Sequence, residues 1–345
     1  MRKIITLFAT LAMILALFAT PALADTSPAT ITSVFTIGSM TYTVNGVPQQ
    51  MDVAPVIVNG RTLMPARFLA YSLGLNDTDV QYQQTWNWNP TLSAVDVFRP
   101  RADGSKLEVT MYYSTTDSSK DGMAPVGAGR GGTVKFDVPP EVVPPGRLMV
   151  PYRYLAQALG AIVSWNQDTQ QVTVKTWQTL PAVPTALTAN QVSMSLGGST
   201  VTATENGSQV GQWSYPYPVD IANPYYPGPN EEPHIVAVVP TLEAFGVPTQ
   251  NILWDPDSQT LMVAGSRPYQ FVYLTPNGDD TNIVSEYASP LIPSSEMPAV
   301  AVAQNGVLYA DGLAGALVAD TYNVYTSWNN DTNAIQAHNG INIQN

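Results

Sequence analysis

Short stretches that alternate apolar and polar residues recur along the chain and predict β-strands. Residues 35–44 alternate in this way, and so do residues 163–165 and 172–174. A period of two places every second side chain on one buried face of a sheet. Two further stretches, 65–74 and 151–160, instead carry leucines four residues apart, and each predicts a helix of about ten residues. Because such short helices need a sheet to pack on, the pattern predicts an α+β fold with antiparallel sheets.

Both helical stretches lie within a repeated motif, Arg61–Gly74 and Arg147–Gly160. Its shared positions are Pro65, Arg67 and Gly74 in the first copy and Pro151, Arg153 and Gly160 in the second. We expect each proline at the first helical position, where no amide hydrogen is needed, and each glycine at the helix end in the left-handed conformation. Each arginine then lies in the first turn, where a carboxylate or a strand carbonyl should accept hydrogen bonds from its guanidinium.

Four tryptophans mark a second recurrent feature. Each precedes a turn rich in Asn or Asp, and each is followed seven residues later by an apolar residue; the pairs are Trp88 and Val95, Trp165 and Val172, Trp254 and Leu261, and Trp328 and Ile335. This spacing predicts four β-hairpins whose tryptophans pack in the core. Pro240 stands fourteen residues before Trp254, as Pro151 does before Trp165. The chain is therefore predicted to contain four strand–short helix–hairpin units, paired into two domains.

The motif strings resemble the copper amine oxidase N-terminal-like domain, also called the stalk domain. The residues that carry the resemblance are Val44–Gly46, Asn59–Arg67, Leu148–Arg153 and Leu159–Asn166. The resemblance is good over residues 36–176 and weak over 190–345. It implies antiparallel strands wrapped around a helix, with paired repeats. It also implies a non-catalytic appendage of exported bacterial surface proteins.

The N-terminus has the pattern of a secretory signal peptide over residues 1–24. Arg2 and Lys3 precede an apolar run at 4–19, and Ala22-Leu23-Ala24 is a small-residue cleavage site. The run is shorter than the ~20 residues that span a bilayer. We therefore expect a secreted or cell-surface protein with no transmembrane span after cleavage.

Composition shifts predict the remaining boundaries. Residues 25–35 read as a linker, 36–178 as a first stalk-like domain, 179–189 as a proline-containing linker and 190–345 as a second, diverged domain. Residues 114–132 are polar and rich in glycine, which favours a mobile surface loop. Residues 213–233 are rich in proline and read as a long irregular loop.

Composition and charge exclude several classes of function. The chain has 14 Lys and Arg against 26 Asp and Glu, a net charge of -12, which argues against a nucleic-acid surface. It has no cysteine and only two histidines, His234 and His338, so disulfides, thiolate metal sites and a three-imidazole copper site are excluded.

The other chemical candidates have simpler structural explanations. Residues 127–132 are rich in glycine but lack the G-K-[ST] ending of a phosphate-binding loop. Asp255 and Asp257 lie in a predicted hairpin turn, and Glu231 and Glu232 are neighbours in a loop. Residues 76–79 and 277–282 offer oxygen ligands without a complete calcium loop, which leaves calcium binding open. We predict no catalytic residues, no metal site and no cofactor, and no enzymatic activity.

One aromatic group lies outside the repeat pattern: Trp213, Tyr215, Tyr217, Tyr225 and Tyr226. These residues are candidate ligand-binding residues, because exposed aromatic rings stack on sugars or fill partner pockets, although a self-packed loop would also explain them. The expected function is a non-catalytic structural, scaffold or adhesion protein of the cell surface. The alternatives are a carbohydrate- or peptidoglycan-binding module and a self-assembling surface-layer or filament subunit. Expected partners are cell-wall polysaccharide, other surface proteins or further copies of the chain.

Overall fold

The computed structural model describes residues 28–84, 90–114, 116–125, 134–183, 191–194, 197–222, 234–265, 270–276, 301–310, 324–329 and 334–339. This part of the chain is rich in β-strands and contains three short helices, α1 (Ala66–Ser72), α2 (Tyr152–Ala158) and α3 (Val238–Phe245). The architecture agrees with an α+β fold made of antiparallel sheets.

The first half of the chain forms three sheets. Its strands are β1 (Thr30–Thr36), β2 (Thr41–Val44), β3 (Val47–Gln50), β4 (Val56–Val58), β5 (Arg61–Pro65), β6 (Val80–Gln83), β7 (Leu92–Pro100), β8 (Lys106–Ser114), β9 (Gly122–Pro125), β10 (Val134–Lys135), β11 (Glu141–Val143), β12 (Arg147–Pro151), β13 (Ala161–Asn166) and β14 (Gln171–Trp177). The strand orders are β13-β14-β1-β2-β3, β10-β9-β8-β7-β6 and β11-β12-β5-β4.

The second half forms smaller sheets. Its strands are β15 (Gln191–Met194), β16 (Thr200–Glu205), β17 (Ser208–Ser214), β18 (Asp220–Ala222), β19 (His234–Ala237), β20 (Ile252–Asp255), β21 (Thr260–Ala264), β22 (Phe271–Leu274), β23 (Ala301–Gln304), β24 (Val307–Ala310), β25 (Val324–Asn329) and β26 (Ala334–Asn339). They are ordered β15-β16-β17, β18-β19-β24-β23, β20-β21-β22 and β25-β26.

Three segments predicted to be irregular contain strands. The linker expected at 25–35 is wrong over its last part, because β1 lies in the middle of its sheet and pairs with both β14 and β2. The alternation that buries every second residue already begins at Thr30. The loop expected at 114–132 contains β9, and the loop expected at 213–233 contains the end of β17 and all of β18.

The predicted tryptophan hairpins form at three of the four places. Trp165 lies opposite Val172, Trp254 opposite Leu261, and Trp328 opposite Ile335. The first hairpin differs, because Val95 lies opposite Tyr82 and not opposite Trp88. The seven-residue spacing requires a four-residue turn, whereas β6 and β7 are separated by residues 84–91. Trp88 itself falls outside the described residues.

The prolines of the motif lie one position earlier than predicted. Pro65 and Pro151 are the last residues of β5 and β12, extended at φ -60, and the helix begins at the next residue. Pro240 instead lies inside α3, so its equal spacing to the tryptophan does not reflect an equal position. The glycines are as predicted: Gly74 and Gly160 follow the helices with φ of +81 and +75.

The core has two main parts, and one sheet belongs to both. On one face of β20-β21-β22, the side chains of Leu253, Met262, Phe271 and Tyr273 pack into the core of the first half. On the other face, Leu261, Val263, Val272 and Leu274 pack into the core of the second half. This sheet therefore joins the two halves of the chain.

Candidate functional site

An open cleft of about 440 Å³ lies where the two motif copies meet. It forms because β5 and β12 pair in antiparallel fashion, with Leu63 opposite Pro151, which brings the start of the first copy beside the helix of the second. We call it the motif cleft; its polar and aromatic lining residues are Arg61, Thr62, Tyr152, Arg153, Tyr154, Trp165 and Gln167. A cleft of this size is in the range of small-ligand sites.

The two arginines of the motif cleft differ in their partners. The Arg61 Nε donates a hydrogen bond to Asp137 Oδ2, and this ion pair fixes its guanidinium. The Arg153 side chain is exposed, and no carboxylate of the described residues lies within 4.0 Å of its guanidinium. The cleft thus carries a positive charge that this part of the structure does not neutralise.

Tyr154 places a buried hydroxyl against the motif cleft. The residue is 3% exposed, and its ring packs edge-on against Phe136 with the centroids 5.3 Å apart. Burial, followed by the charge of Asp137, raises the pKa of Tyr154 to about 12, so the hydroxyl keeps its proton at neutral pH. The carboxylate and the backbone amide of Asp137 are its polar neighbours, and both influence its pKa. Tyr154 therefore belongs to the same polar cluster as Arg61 and Asp137.

Trp165 supplies the aromatic wall of the motif cleft. It is half-buried and packs against the core of the first half, in agreement with the packing role expected of it. Its Nε1 donates to Gln167 Oε1 at 2.9 Å, which fixes the orientation of the indole. The ring is therefore preorganised at the edge of the cleft.

The partner predicted for the repeated arginine is found for Arg67 but not for Arg153. Arg67 Nη1 lies 3.2 Å from Asp77 Oδ1, so the predicted carboxylate partner is confirmed. The matching partner predicted for Arg153 is not found among the residues that the structure describes. Asp77 also accepts a hydrogen bond from the Tyr71 hydroxyl, and Asn76 and Asp79 cap a short 3-10 turn. The oxygen atoms of residues 76–79 considered for calcium therefore already have protein partners.

The five candidate aromatic residues do not form one surface. Trp213 is 38% exposed and lies on β17, an edge strand. Tyr215 and Tyr217 are half-buried against the core of the second half, with ring centroids 5.7 Å apart. The Tyr215 hydroxyl donates to Glu243 Oε2 at 3.1 Å, and burial followed by this carboxylate raises the pKa of Tyr215. Tyr225 and Tyr226 lie outside the described residues.

The indole of Trp213 lies against the backbone of Gly211. A Cβ atom at Gly211 would stand 2.2 Å from Cη2 of Trp213, closer than real contacts allow. Glycine therefore permits the ring to lie along its own strand, while more than a third of the side chain remains exposed. This arrangement resembles a stacking platform, because the ring is supported by its own strand while part of it is open to solvent.

The remaining sequence candidates have structural partners or are not described. Asp255 is buried, accepts a hydrogen bond from Lys175 Nζ at 2.8 Å and ends β20, whereas Asp257 is exposed in the turn. Outside the described structure lie the side chains of His234 and His338, and residues 127–132, 231–232 and 277–282. Where the chain is described, no group of three acidic or histidine side chains could hold a metal ion. No helix in that part is both long and apolar enough to cross a bilayer.

The copper amine oxidase N-terminal domain family matches residues 26–87 and 130–213 of the chain. Over these two stretches, the chain carries a copper amine oxidase N-terminal domain. The resemblance predicted from the motif strings is thus confirmed, and domains of this family are non-catalytic. The matched region contains both motif copies and the motif cleft, and it continues beyond residue 176 to the end of β17. Neither a curated protein nor a solved structure was found to match the chain.

Sequence reasoning missed the motif cleft because it treated its residues one at a time as packing or helix-end residues. One signal was visible: the second copy reads Pro-Tyr-Arg-Tyr where the first reads Pro-Ala-Arg-Phe. Only the second copy adds hydroxyl groups on both sides of the arginine. Such a departure from a repeat is hard to explain by packing alone.

Proposed function

We propose that the protein is a non-catalytic, exported scaffold of the cell surface, built from a copper amine oxidase N-terminal domain and a diverged second unit. The observation that carries the proposal is the β20-β21-β22 sheet, which is covered on both faces by the two cores. A body fused in this way suits a spacer or an attachment module, because its parts hold a fixed relation without a hinge.

Several side chains that were candidates for binding or catalysis are instead packed or paired within the fold, which supports this proposal. Trp165 and Trp254 pack against the two cores, and Asp255 is paired with Lys175. The second half repeats part of the layout of the first: Gly246 ends α3 with φ of +93, and a 3-10 turn follows, as one follows Gly74. This similarity is our reason for describing the second half as a diverged unit.

Export is tested by fractionation of cells that produce the full chain. We expect the protein outside the cytoplasm, with a mature N-terminus at Asp25. Ala24→Tyr places a large residue at the cleavage site and should block processing, whereas the control Thr26→Tyr lies beyond it and should be processed normally. A full-length protein retained in the cytoplasm would contradict the proposal.

The non-catalytic role is tested with the purified mature protein. We expect no turnover when it is incubated with primary amines, with or without added copper, or with cell-wall glycans. Sustained product formation that tracks the protein through purification would show that the scaffold role is wrong.

A second candidate function, glycan binding, is favoured by the Trp213 platform. Retention on insoluble cell-wall glycan should fall with Trp213→Ala, which removes the ring. It should also fall with Gly211→Ala, which displaces the ring by the steric contact described above. The control Val210→Ala changes another exposed apolar residue of β17 and should leave retention unchanged. Equal retention by all the variants would exclude this platform.

A further inference from the structure

We propose that the motif cleft binds a carboxylate-bearing sugar, a uronic acid unit of an acidic polysaccharide. This site is separate from the Trp213 platform and uses different residues. The inference rests on the cleft itself, the guanidinium of Arg153 and the indole of Trp165. The choice of a glycan, rather than another carboxylate, also rests on the proposed location outside the cytoplasm.

The charge of the site favours an anion. A guanidinium presents a planar set of donors that matches a carboxylate, and a charge-assisted hydrogen bond is about twice as strong as a neutral one. Arg153 is exposed and has no carboxylate partner in the described structure, so its donors can turn to a ligand. Arg61 cannot act in the same way, because Asp137 already accepts from it.

The aromatic wall favours a ring-bearing ligand over a simple anion. Trp165 is held in place by its hydrogen bond to Gln167, so its exposed part offers a preorganised apolar surface. A pyranose ring combines an apolar face with hydroxyl groups, and a uronic acid adds the carboxylate that Arg153 needs. An acidic peptide would satisfy the arginine but would leave the aromatic wall without a matching flat face.

The experiment titrates the purified mature protein with trigalacturonic acid and, in parallel, with its methyl ester. The two ligands share the sugar rings and differ in charge. We expect the acid to bind at least about tenfold more tightly than the ester, because the ester lacks the charge-assisted contact with Arg153. The affinity for the acid should fall as the salt concentration is raised, because salt screens this contact. Triglutamate serves as the peptide probe and should bind no better than the ester.

Two variants assign the contact. Arg153→Gln should weaken binding of the acid about tenfold and leave binding of the ester unchanged. The matched control Arg67→Gln changes the equivalent arginine of the first copy, which is paired with Asp77, and should bind as the wild type does.

Several results would overturn the inference. These are equal affinities for acid and ester, wild-type binding by Arg153→Gln, absence of binding to a folded protein, or tighter binding of triglutamate. Because fractionation tests export separately, a surface-located protein that fails to bind the acid would refute the cleft inference alone. A protein that binds the acid but stays in the cytoplasm would refute the extracellular glycan and the proposed location.

Discussion

Arg99 shows how this protein accommodates a charge inside its core. The residue is 1% exposed, and its guanidinium donates to three backbone carbonyls, those of Leu159, Gly160 and Trp177. Two of these carbonyls follow α2, and the third ends β14. Burial pulls the pKa of Arg99 down to about 9, which still leaves it a cation at neutral pH. The charge therefore ties a helix end to a strand end.

Arg99→Met should lower the free energy of unfolding by about 3 kcal/mol, because it leaves buried carbonyls without a donor. Arg67→Met should lower it by less than about 1 kcal/mol, since the pair of Arg67 with Asp77 is exposed to solvent. Urea denaturation at pH 7 measures both values. Similar costs for the two variants would show that the internal hydrogen bonds of Arg99 contribute little.

Gly160→Ala should destabilise the protein by about 3 kcal/mol through two effects. The residue has φ of +75, and a Cβ atom there would lie 2.7 Å from the ring of Phe271. Gly38 has nearly the same φ, +76, but no atom within 4 Å of the added Cβ, so Gly38→Ala should cost only about 1 kcal/mol. The difference between the two variants, measured by urea denaturation, reports the close packing of Gly160 against Phe271 and Leu180; equal costs would contradict this packing.

At the scale of the element, short-range signals predict the fold best. Four hairpins turn at Asn-Gly pairs with positive φ at both residues, and this dipeptide is the strongest local hairpin signal; they are Asn45-Gly46, Asn59-Gly60, Asn206-Gly207 and Asn305-Gly306. The helices are also visible from their leucine spacing and their glycine ends. Asn45-Gly46 and Asn59-Gly60 are also part of the family motif strings, but their value as turn signals is independent of the family.

Features that depend on pairing partners were less predictable. The motif prolines end strands because Leu63 lies opposite Pro151 and Met149 opposite Pro65. Nothing local reveals that pairing, so the prolines were placed in the helix. The motif cleft has the same origin, since it arises only when the two copies lie side by side. A local pattern predicts an element, but a site formed between elements requires the register.

The outer edge of β17 is the element best suited to self-association. Its sequence, Ser-Gln-Val-Gly-Gln-Trp-Ser, contains no charge and no proline, and all but one of its residues are exposed. A strand of this kind presents unpaired backbone groups that another chain can pair with. The register shift between Ala203 and Thr204 bends the neighbouring pairing, which limits but does not abolish this tendency.

We therefore expect the mature protein to self-associate as its concentration rises, and Val210→Lys to suppress the association by placing a charge on the edge. Val56→Lys is the control, because Val56 is also exposed on an edge strand, β4, but of another sheet. Sedimentation velocity over a range of concentrations measures the effect. A wild-type protein that stays monomeric throughout, or equal effects of both lysines, would contradict pairing through β17.

At the scale of the whole molecule, the two halves of the chain are not separate domains, because the β20-β21-β22 sheet belongs to the cores of both. The proline-containing linker predicted at 179–189 includes Leu180, which is fully buried and forms an isolated β-bridge with Arg101. The sequence predicted the hairpin of β20 and β21, but not that this sheet is buried on both faces. Its runs of consecutive apolar residues, such as Phe271–Leu274, are typical of strands buried on both faces. That pattern, given more weight, would have predicted a shared core.

The ion pair of Lys175 with Asp255 ties the two halves together at this junction. Lys175 lies on β14 of the first half, and Asp255 ends β20 of the shared sheet; their side chains are 20% and 5% exposed. Burial alone would raise the pKa of Asp255, but hydrogen bonds from Lys175 and Ser258 outweigh it and hold the pKa below its usual value. A carboxyl whose pKa is lowered in the folded state stabilises the fold above the unfolded pKa, and the contribution disappears as pH falls through the folded pKa.

We expect Asp255→Asn to lower the free energy of unfolding at pH 7 by about 2 kcal/mol, because it leaves Lys175 partly buried without its charge partner. The double variant Lys175→Met with Asp255→Asn should recover part of this loss, since it removes the unpaired charge as well. As the pH falls below about 4, the Asp255 carboxylate is protonated first in the unfolded chain and then, at lower pH, in the folded chain. The difference in free energy of unfolding between wild type and Asp255→Asn should therefore shrink. Urea denaturation at pH 7 and at pH 3 measures both effects. A destabilisation that is the same at the two pH values would show that the pair does not hold the junction by charge, and that the apolar faces of the shared sheet alone join the halves.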